Sequence, residues 1–590
     1  MEAGVKGRPL LLILGLVLLL RLPFLHQAVQ GDDPVYLAEA SHALIEPLHP
    51  DHVGYVFRGR EVDLRGLTHP PLNGWMLAGL LAVFGDVKEV PFHLAYLTFS
   101  LIAAIAMWSL ARRFTADPLW ATLLFLAVPA FMVNGTSFET DVPFAAFWMA
   151  AIALFCADRL ALAALFMVLA SLTAYQTVVL IPILAVYCWL YRRHSRAHWV
   201  TLLTPSVVLV AWQVFERVST GALPAGVLSG YFTIYQTLQA KLVNALALSV
   251  HFWFLVFPAY MPFAFLLAWR KRRKRETQFL LAWVAIFFGS ALVIFFAGSA
   301  RYLLPMAAPM AMLAAALPRR LLAAGFGLQM ALSLGLALMN YQHWDSYRAY
   351  AASLTPVIEN HRVWVDDEWG LRHYMQDHGA LPLQKTTRLG AGDIIVSSQL
   401  SHAVEPTALL AIAAPTLEIR PAIPLRIIGL ESHSGYSSAA LDRLWPFGLS
   451  AGVIDRVRTN RVVERHPTLT YVDMKAPEAK AQLVSGIWPD DHWMSSSGVV
   501  IVKSPTSPAM LGVNFYVPGN APARRITLLL DDREVCSTTV AAPGPGKLTC
   551  PAPVAPKGPT AMIEIRVDKT FRVPPDERDL GIVLLGAGFQ

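Results

Sequence analysis

Long apolar runs without charge fill the first 340 residues of the chain and stop there. Each run approaches the roughly 20 residues that carry a helix across a bilayer. About eleven read as membrane spans, centred near Leu18, Ser100, Leu126, Met149, Val168, Leu184, Val207, Phe257, Ala285, Met310 and Leu332. Residues 71–84 are apolar too. At about 14 residues this run is too short to cross, and its leading prolines suit a helix start at the interface.

After residue 340 the pattern alternates. Residues 361–365 (HRVWV) and 393–397 (DIIVS) read as strands around a helical stretch at 370–378, predicting a small α/β domain over 341–480. Residues 485–590 are rich in Pro, Gly and alternating apolar positions. Strands are expected at 499–502, 512–516, 526–530 and 561–567, as in an all-β sandwich. The expected order is an α-helical polytopic membrane domain (1–340) with a long first loop (30–90), then the α/β domain, then the sandwich.

Composition supports the membrane reading. The 590 residues are 55% hydrophobic and 15% charged, against about a quarter charged in soluble domains. The net charge of +7 is not a nucleic-acid footprint, because its densest run, 270–275 (RKRRKR), directly follows an apolar segment. Cytoplasmic anchoring charges occupy such positions. With Lys6 and Arg8 placed in the cytoplasm, Arg112-Arg113, Arg192-Arg193, 270–275 and Arg319-Arg320 also fall inside. Loop 30–90, with nine carboxylates against four basic residues, then lies outside with everything after residue 340. Of the four cysteines, Cys156 and Cys188 sit in apolar runs, whereas Cys536 and Cys550 lie close together in the polar tail and can pair if the tail is extracytoplasmic.

Few ionisable groups lie inside the spans, and carboxylates gather at their outer ends. That favours chemistry at the outer face over transport through the bundle. Gly31-Asp32-Asp33-Pro34-Val35-Tyr36 follows the first span, and Glu139-Thr140-Asp141-Val142-Pro143 precedes the fourth. Adjacent carboxylates raise one another's pKa and supply a general base; the same residues beside proline also suit plain helix capping. Thr68-His69-Pro70-Pro71 offers an imidazole for phosphate or metal, or simply a surface histidine. Arg301, followed by Tyr302, suits an anionic lipid phosphate or interfacial snorkelling.

Together, the acidic pair with Tyr36, Pro70-Pro71-Leu72, Thr140-Asp141-Val142-Pro143 and Arg301-Tyr302-Leu303-Leu304-Pro305 resemble the GT-C superfamily over roughly residues 9–340. Within it they are most similar to bacterial relatives of protein O-mannosyltransferases and of the lipid A aminoarabinose transferase. The resemblance implies an inner-membrane enzyme that moves a sugar, with inversion, from a polyprenyl-phosphate donor to an acceptor hydroxyl on the extracytoplasmic face. Asp32 matches the family's catalytic aspartate, Asp33 stands where relatives usually have glutamate, Asp141 matches a second acidic position, and Arg301 one near the lipid phosphate. Tyr36, His69, Glu139 and Tyr302 fill out the expected substrate site. Many relatives carry Thr-Lys-Gly where this chain has Thr173-Ala174-Tyr175-Gln176-Thr177. Donor phosphate contacts therefore differ, or a residue such as Lys241 supplies the charge. Residues 485–590 resemble the carbohydrate-binding-like sandwich of some bacterial glycosyltransferases, through 568–574 (DKTFRVP) and Asp579-Leu580-Gly581.

Two other classes compete: a flippase or transporter for a lipid-linked glycan, and a non-catalytic membrane scaffold that displays a glycan-binding domain. The outer carboxylates offer oxygens of the kind Mg²⁺ or Mn²⁺ takes, but no ligand cluster of recognisable spacing assigns a metal. The sequence does not choose among glycan, lipid and protein acceptors.

Overall fold

The structure is a computed structural model describing residues 2–590 except 67–68, 232–236, 296, 407, 409, 437–442, 464–466, 520, 557 and 574–575. Thr68 and Pro574 lie outside the described residues. The first part of the chain is helical and the last part is built of β-sheets.

Among the described residues, five helices are long and apolar enough to cross a membrane: Glu89–Phe114, Arg196–Thr220, Leu238–Leu255, Arg275–Ile294 and Arg319–Ser353. Six shorter apolar helices accompany them: Pro9–Phe24, Leu72–Phe84, Asp141–Cys156, Leu160–Thr173, Tyr175–Tyr191 and Leu304–Ala314. Two of the expected runs are broken. The run centred on Leu126 divides into Pro118–Leu126 and Pro129–Asn134 because Val128, ahead of proline, is extended (φ −61°, ψ 123°). The run around Phe257 breaks for the same reason before Pro258 and resumes as Met261–Arg270. The run at 71–84 forms the helix Leu72–Phe84, closed by Gly85 in the left-handed conformation at φ 74°.

Aromatic packing fixes the segment between Pro129–Asn134 and Asp141–Cys156. The Phe138 ring lies 5.7 Å from Phe92, 5.5 Å from Tyr96 and 4.5 Å from His93, all on the helix Glu89–Phe114. Asn73 Nδ2 donates to the Phe138 carbonyl at 2.8 Å, and Tyr96 donates its hydroxyl to Asn73 at 2.7 Å. Burying one such ring contributes about 1.5–3 kcal/mol. Phe138 is thus held by both its side chain and its backbone.

A five-stranded sheet follows the helices, in the order Leu381–Pro382, Val363–Asp366, Ile394–Ser398, Asp455–Val462, Leu410–Ile419. Its first three strands run parallel, and the helix Gly370–Asp377 lies between the first pair in sequence. The C-terminal region is two facing antiparallel sheets. One has the order Arg533–Val540, Arg524–Leu530, Thr560–Val567, Met494–Lys503, Leu483–Ile487. The other has the order Gly544–Thr549, Leu511–Val517, Val583–Phe589, Tyr471–Asp473. Alternating residues such as Val500, Val513, Phe515, Ile526 and Ile565 fill the space between them. Strands Tyr471–Asp473 and Leu483–Ile487 join these sheets from ahead of residue 485. Cys536 and Cys550 are bonded and tie the edge strand of one sheet to the end of the edge strand of the other. Closing a loop of that size contributes about 3 kcal/mol in the chain-entropy picture.

Candidate active site

Gly31 turns the chain out of the first helix with φ 46°, and a Cβ there would come within 2.6 Å of Glu139 Oε1. Glycine meets both demands without strain or a shift of Glu139. The next residue, Asp32, donates its backbone N–H to that same Glu139 oxygen at 3.0 Å. Asp32 occupies the N-cap position of the helix Asp33–Ala43, yet its side chain makes no capping bond. Its carboxylate instead reaches Arg301 Nη2 at 2.8 Å.

Arg301 gathers the acidic residues. Its Nη1 bonds Glu139 Oε2 and lies 3.8 Å from Asp141 Oδ2. Tyr302 packs its ring 5.2 Å from the guanidinium carbon. Glu139 and Asp141 are buried, with side chains 6% and 8% exposed, whereas that of Asp32 is 40% exposed. Burial raises Glu139 well above the ordinary carboxyl range, against the lowering by Arg301. The neighbouring acids hold the Arg301 guanidinium firmly charged despite its own burial. One cation thus faces three acids, of which one is open.

Asp33 plays a different part from its neighbour. The sequence placed it beside Asp32 as a second catalytic carboxylate; the structure buries it completely. It accepts bonds from Gln30 N at 3.0 Å, Ser137 Oγ at 2.8 Å and Phe138 N at 2.8 Å. Burial pushes this carboxyl up to about 7, against the lowering by those donors. Asp33 therefore ties the first loop to the pinned Phe138 segment and has no face open to an acceptor.

His69 and Tyr36 join through Thr140. Thr140 Oγ1 lies 3.2 Å from His69 Nδ1, the Tyr36 hydroxyl also bonds Thr140, and the Tyr36 and His69 rings are 5.9 Å apart. Burial and then Arg301 push the His69 imidazole down to about 4. A group shifted that far down is neutral near pH 7. The His69 ring also bonds the Thr173 backbone, which brings the start of segment 173–177 to this place. Lys241 is exposed on the helix Leu238–Leu255.

All eight candidates therefore converge from four separate stretches of chain, at 32–36, 69, 139–141 and 301–302. The sequence reading missed the residues that hold them. Gln30 donates to the Thr136 carbonyl at 2.5 Å and accepts from Asn340, whose Oδ1 accepts from Trp344 Nε1 at 2.8 Å. Val29 N donates to the Tyr374 hydroxyl at 2.8 Å, and Tyr374 in turn donates to Glu89 at 3.1 Å. A Cβ on Gly370 would sit 2.2 Å from the Val29 carbonyl oxygen. Arg372 bonds the Val56 carbonyl and covers the Tyr55 ring at 4.1 Å. Further along the helix Asp33–Ala43, Glu39 is buried against Gly74. Near it in charge interaction is buried Asp51, pushed up to about 7 by burial and Glu216; Glu216 Oε1 lies 3.0 Å from His49. Among the described residues no group of three or more His, Cys, Asp or Glu side chains is arranged to hold a metal ion.

No curated protein matches the chain. Its fold is similar to ArnT from Cupriavidus metallidurans bound to undecaprenyl phosphate, at 16% identity over 67% of this chain and 93% of that one, with a TM-score of 0.45. It is also similar to the arabinofuranosyltransferase AftD from Mycobacteria (12% identity, 99% of this chain and 58% of that one, TM-score 0.39). A third structure is the arabinosyltransferase EmbB from Mycobacterium smegmatis (12%, 98% and 64%, TM-score 0.36). Residues 68–215, the stretch that carries His69, Glu139 and Asp141, match the family model of the dolichyl-phosphate-mannose-protein mannosyltransferases, in agreement with the GT-C resemblance of the motifs.

Proposed function

We propose that this chain is an inverting glycosyltransferase that uses a polyprenyl-phosphate sugar and an acceptor hydroxyl at the extracytoplasmic face of the membrane. The observation that carries the reading is the one open carboxylate, Asp32, held 2.8 Å from an arginine whose other acidic partners are buried. A phosphate leaving group needs a fixed cation, and an attacking hydroxyl needs a base. Arg301 and Asp32 supply the two.

The donor's phosphate competes for Arg301 and frees Asp32. The acceptor O–H gives its proton to the Asp32 carboxylate, and its oxygen attacks the anomeric carbon. The bond from that carbon to the phosphate oxygen breaks on the opposite face, and the lipid phosphate leaves with the electron pair, neutralised by Arg301. Glu139 and Asp141 set the Arg301 position, Asp33 sets the loop, and Tyr36, His69 and Tyr302 line the sugar side.

The test is transfer of labelled sugar from membrane-extracted polyprenyl-phosphate donors by wild type and Asp32→Asn, at equal abundance and with folding verified. A loss of about 10²–10⁴-fold is expected on removing a general base. Equal turnover would remove Asp32 from the reaction, and no turnover by wild type with any donor would sink the transferase reading.

A further inference from the structure

Residues 420–436 and 443–450 lie between the strands Leu410–Ile419 and Asp455–Val462 and pack back on the helices. Residues 420–425 run along one face of the helix Arg319–Ser353. Gln342 Nε2 donates to the Arg420 carbonyl at 2.8 Å, and Gln342 Oε1 accepts from Ala422 N at 2.9 Å. Ile423 N lies 3.5 Å from Met339 Sδ. A Cβ on Gly335 would meet Leu425 at 2.8 Å and Ile423 at 3.3 Å. Positions 335, 339 and 342 share a face by helical spacing. The returning part of the loop meets a second apolar helix, Leu238–Leu255. His251 bonds the Leu444 backbone, and the Phe254 ring lies 6.2 Å from Trp445 and 5.7 Å from Phe447.

The depth of these contacts follows from the helix itself. Asn340 bonds Gln30 of the acidic loop, so position 340 marks the level of the site. Gly335 lies five residues nearer the opposite end, roughly 7.5 Å deeper at 1.5 Å per residue. Ile423 and Leu425 therefore reach below the level of the acidic site. Where Tyr436 and Phe447 meet the helices, the crevice among Pro129, Leu255, Ala300, Tyr436 and Phe447 holds only about 10 Å³, room for about one water.

Three large apolar side chains of this loop face outward, with Leu449 77%, Trp445 48% and Ile423 39% exposed. The two helices this stretch packs against also carry exposed apolar residues, Leu246 (55%), Trp253 (41%) and Leu338 (52%). We propose that this loop dips into the bilayer, with Ile423, Trp445 and Leu449 seated among the acyl chains of the leaflet on the Arg301 side. The lipid is the occupant because the loop's outward side chains are apolar and it packs on two helices of membrane length with exposed apolar residues of their own. The proposal stands whether or not the chain transfers a sugar.

Nitroxide accessibility tests it in the full chain, reconstituted in phosphatidylcholine–phosphatidylglycerol nanodiscs. Leu449→Cys and Ile423→Cys are labelled separately, with Lys569→Cys on the exposed surface of the sandwich as the aqueous reference. Molecular oxygen is expected to exceed a water-soluble nickel chelate as a relaxant several-fold at 449 and 423, with the order reversed at 569. A nickel-dominated response at 449 and 423 would place the loop in water and overturn the proposal. Low access to both relaxants with label–label broadening would put a second copy there instead of lipid and overturn it equally.

Discussion

Arg301 and Asp32 stand 269 positions apart in the chain and 2.8 Å apart in space. The pair joins the exit of the first helix to the entry of a late one, and two further acids complete the guanidinium's surroundings. Removing the arginine leaves buried carboxyls without their cation. Arg301→Ala should cost about 3–5 kcal/mol of stability, as breaking a buried pair does. Arg301→Lys keeps the charge but loses the fork. It should fold, with its main loss in KM for the lipid donor. Thermal unfolding and steady-state kinetics on the two variants check this.

The neighbouring acids should behave oppositely. Asp33→Asn turns an amide N–H₂ toward Gln30 N, Ser137 Oγ or Phe138 N, all of them donors to the native carboxylate. An unmatched buried donor costs about 1–3 kcal/mol. Asp33→Asn should lower the unfolding midpoint measurably, whereas Asp32→Asn should leave it nearly unchanged and lose turnover. Denaturant midpoints measured beside turnover separate the two roles.

His69 predicts a pH effect on stability. Its imidazole titrates at about 4 in the folded chain, against 6.5 for the ordinary group. The unfolded chain takes up that proton first, so the stabilisation is complete above about pH 6.5 and is lost as the pH falls toward about 4. His69→Gln removes this proton-linked loss. The unfolding midpoint of the variant should fall less than that of wild type on acidification from about pH 7 to about pH 5. An equal fall in both proteins would mean that His69 is not held neutral.

Tyr374 makes a prediction about the brace. Tyr374→Phe removes the acceptor for Val29 N, three residues from Asp32. The hydroxyl's bond to Glu89 is lost with it; the variant should lose about 1–3 kcal/mol of stability from the two missing bonds, and kcat should fall while KM for the donor stays close to wild type. Loss confined to stability would reduce Tyr374 to a packing contact.

The membrane region and the strands were legible because each follows a local period. The strand Arg524–Leu530 covers the expected 526–530, and Thr560–Val567 covers 561–567. The polar site was legible from motifs, since Asp32, Glu139 and Arg301 each stand beside a helix end. The separate fates of Asp32 and Asp33 were not, because adjacent positions at a helix start point in different directions and only the tertiary neighbour at Phe138 shows which is buried. Thr140 lay inside a motif already singled out, whereas Ser137 stands two residues ahead of it and was not read. Asn340 and Tyr374 gave no local signal, because their partners at Gln30 and Val29 are more than 300 residues away.

The close fit of Gly370 against Val29 bears on how this protein can be cut and recombined. A truncation near residue 340 would strip the acidic loop of Tyr374 and Arg372, which hold its backbone at Val29 and Val56. A chimera carrying a foreign C-terminal half would have to reproduce a glycine, a tyrosine hydroxyl and a guanidinium at the same three points. The two halves behave as one heritable unit: exchange at that joint would disable the first half even if both halves folded.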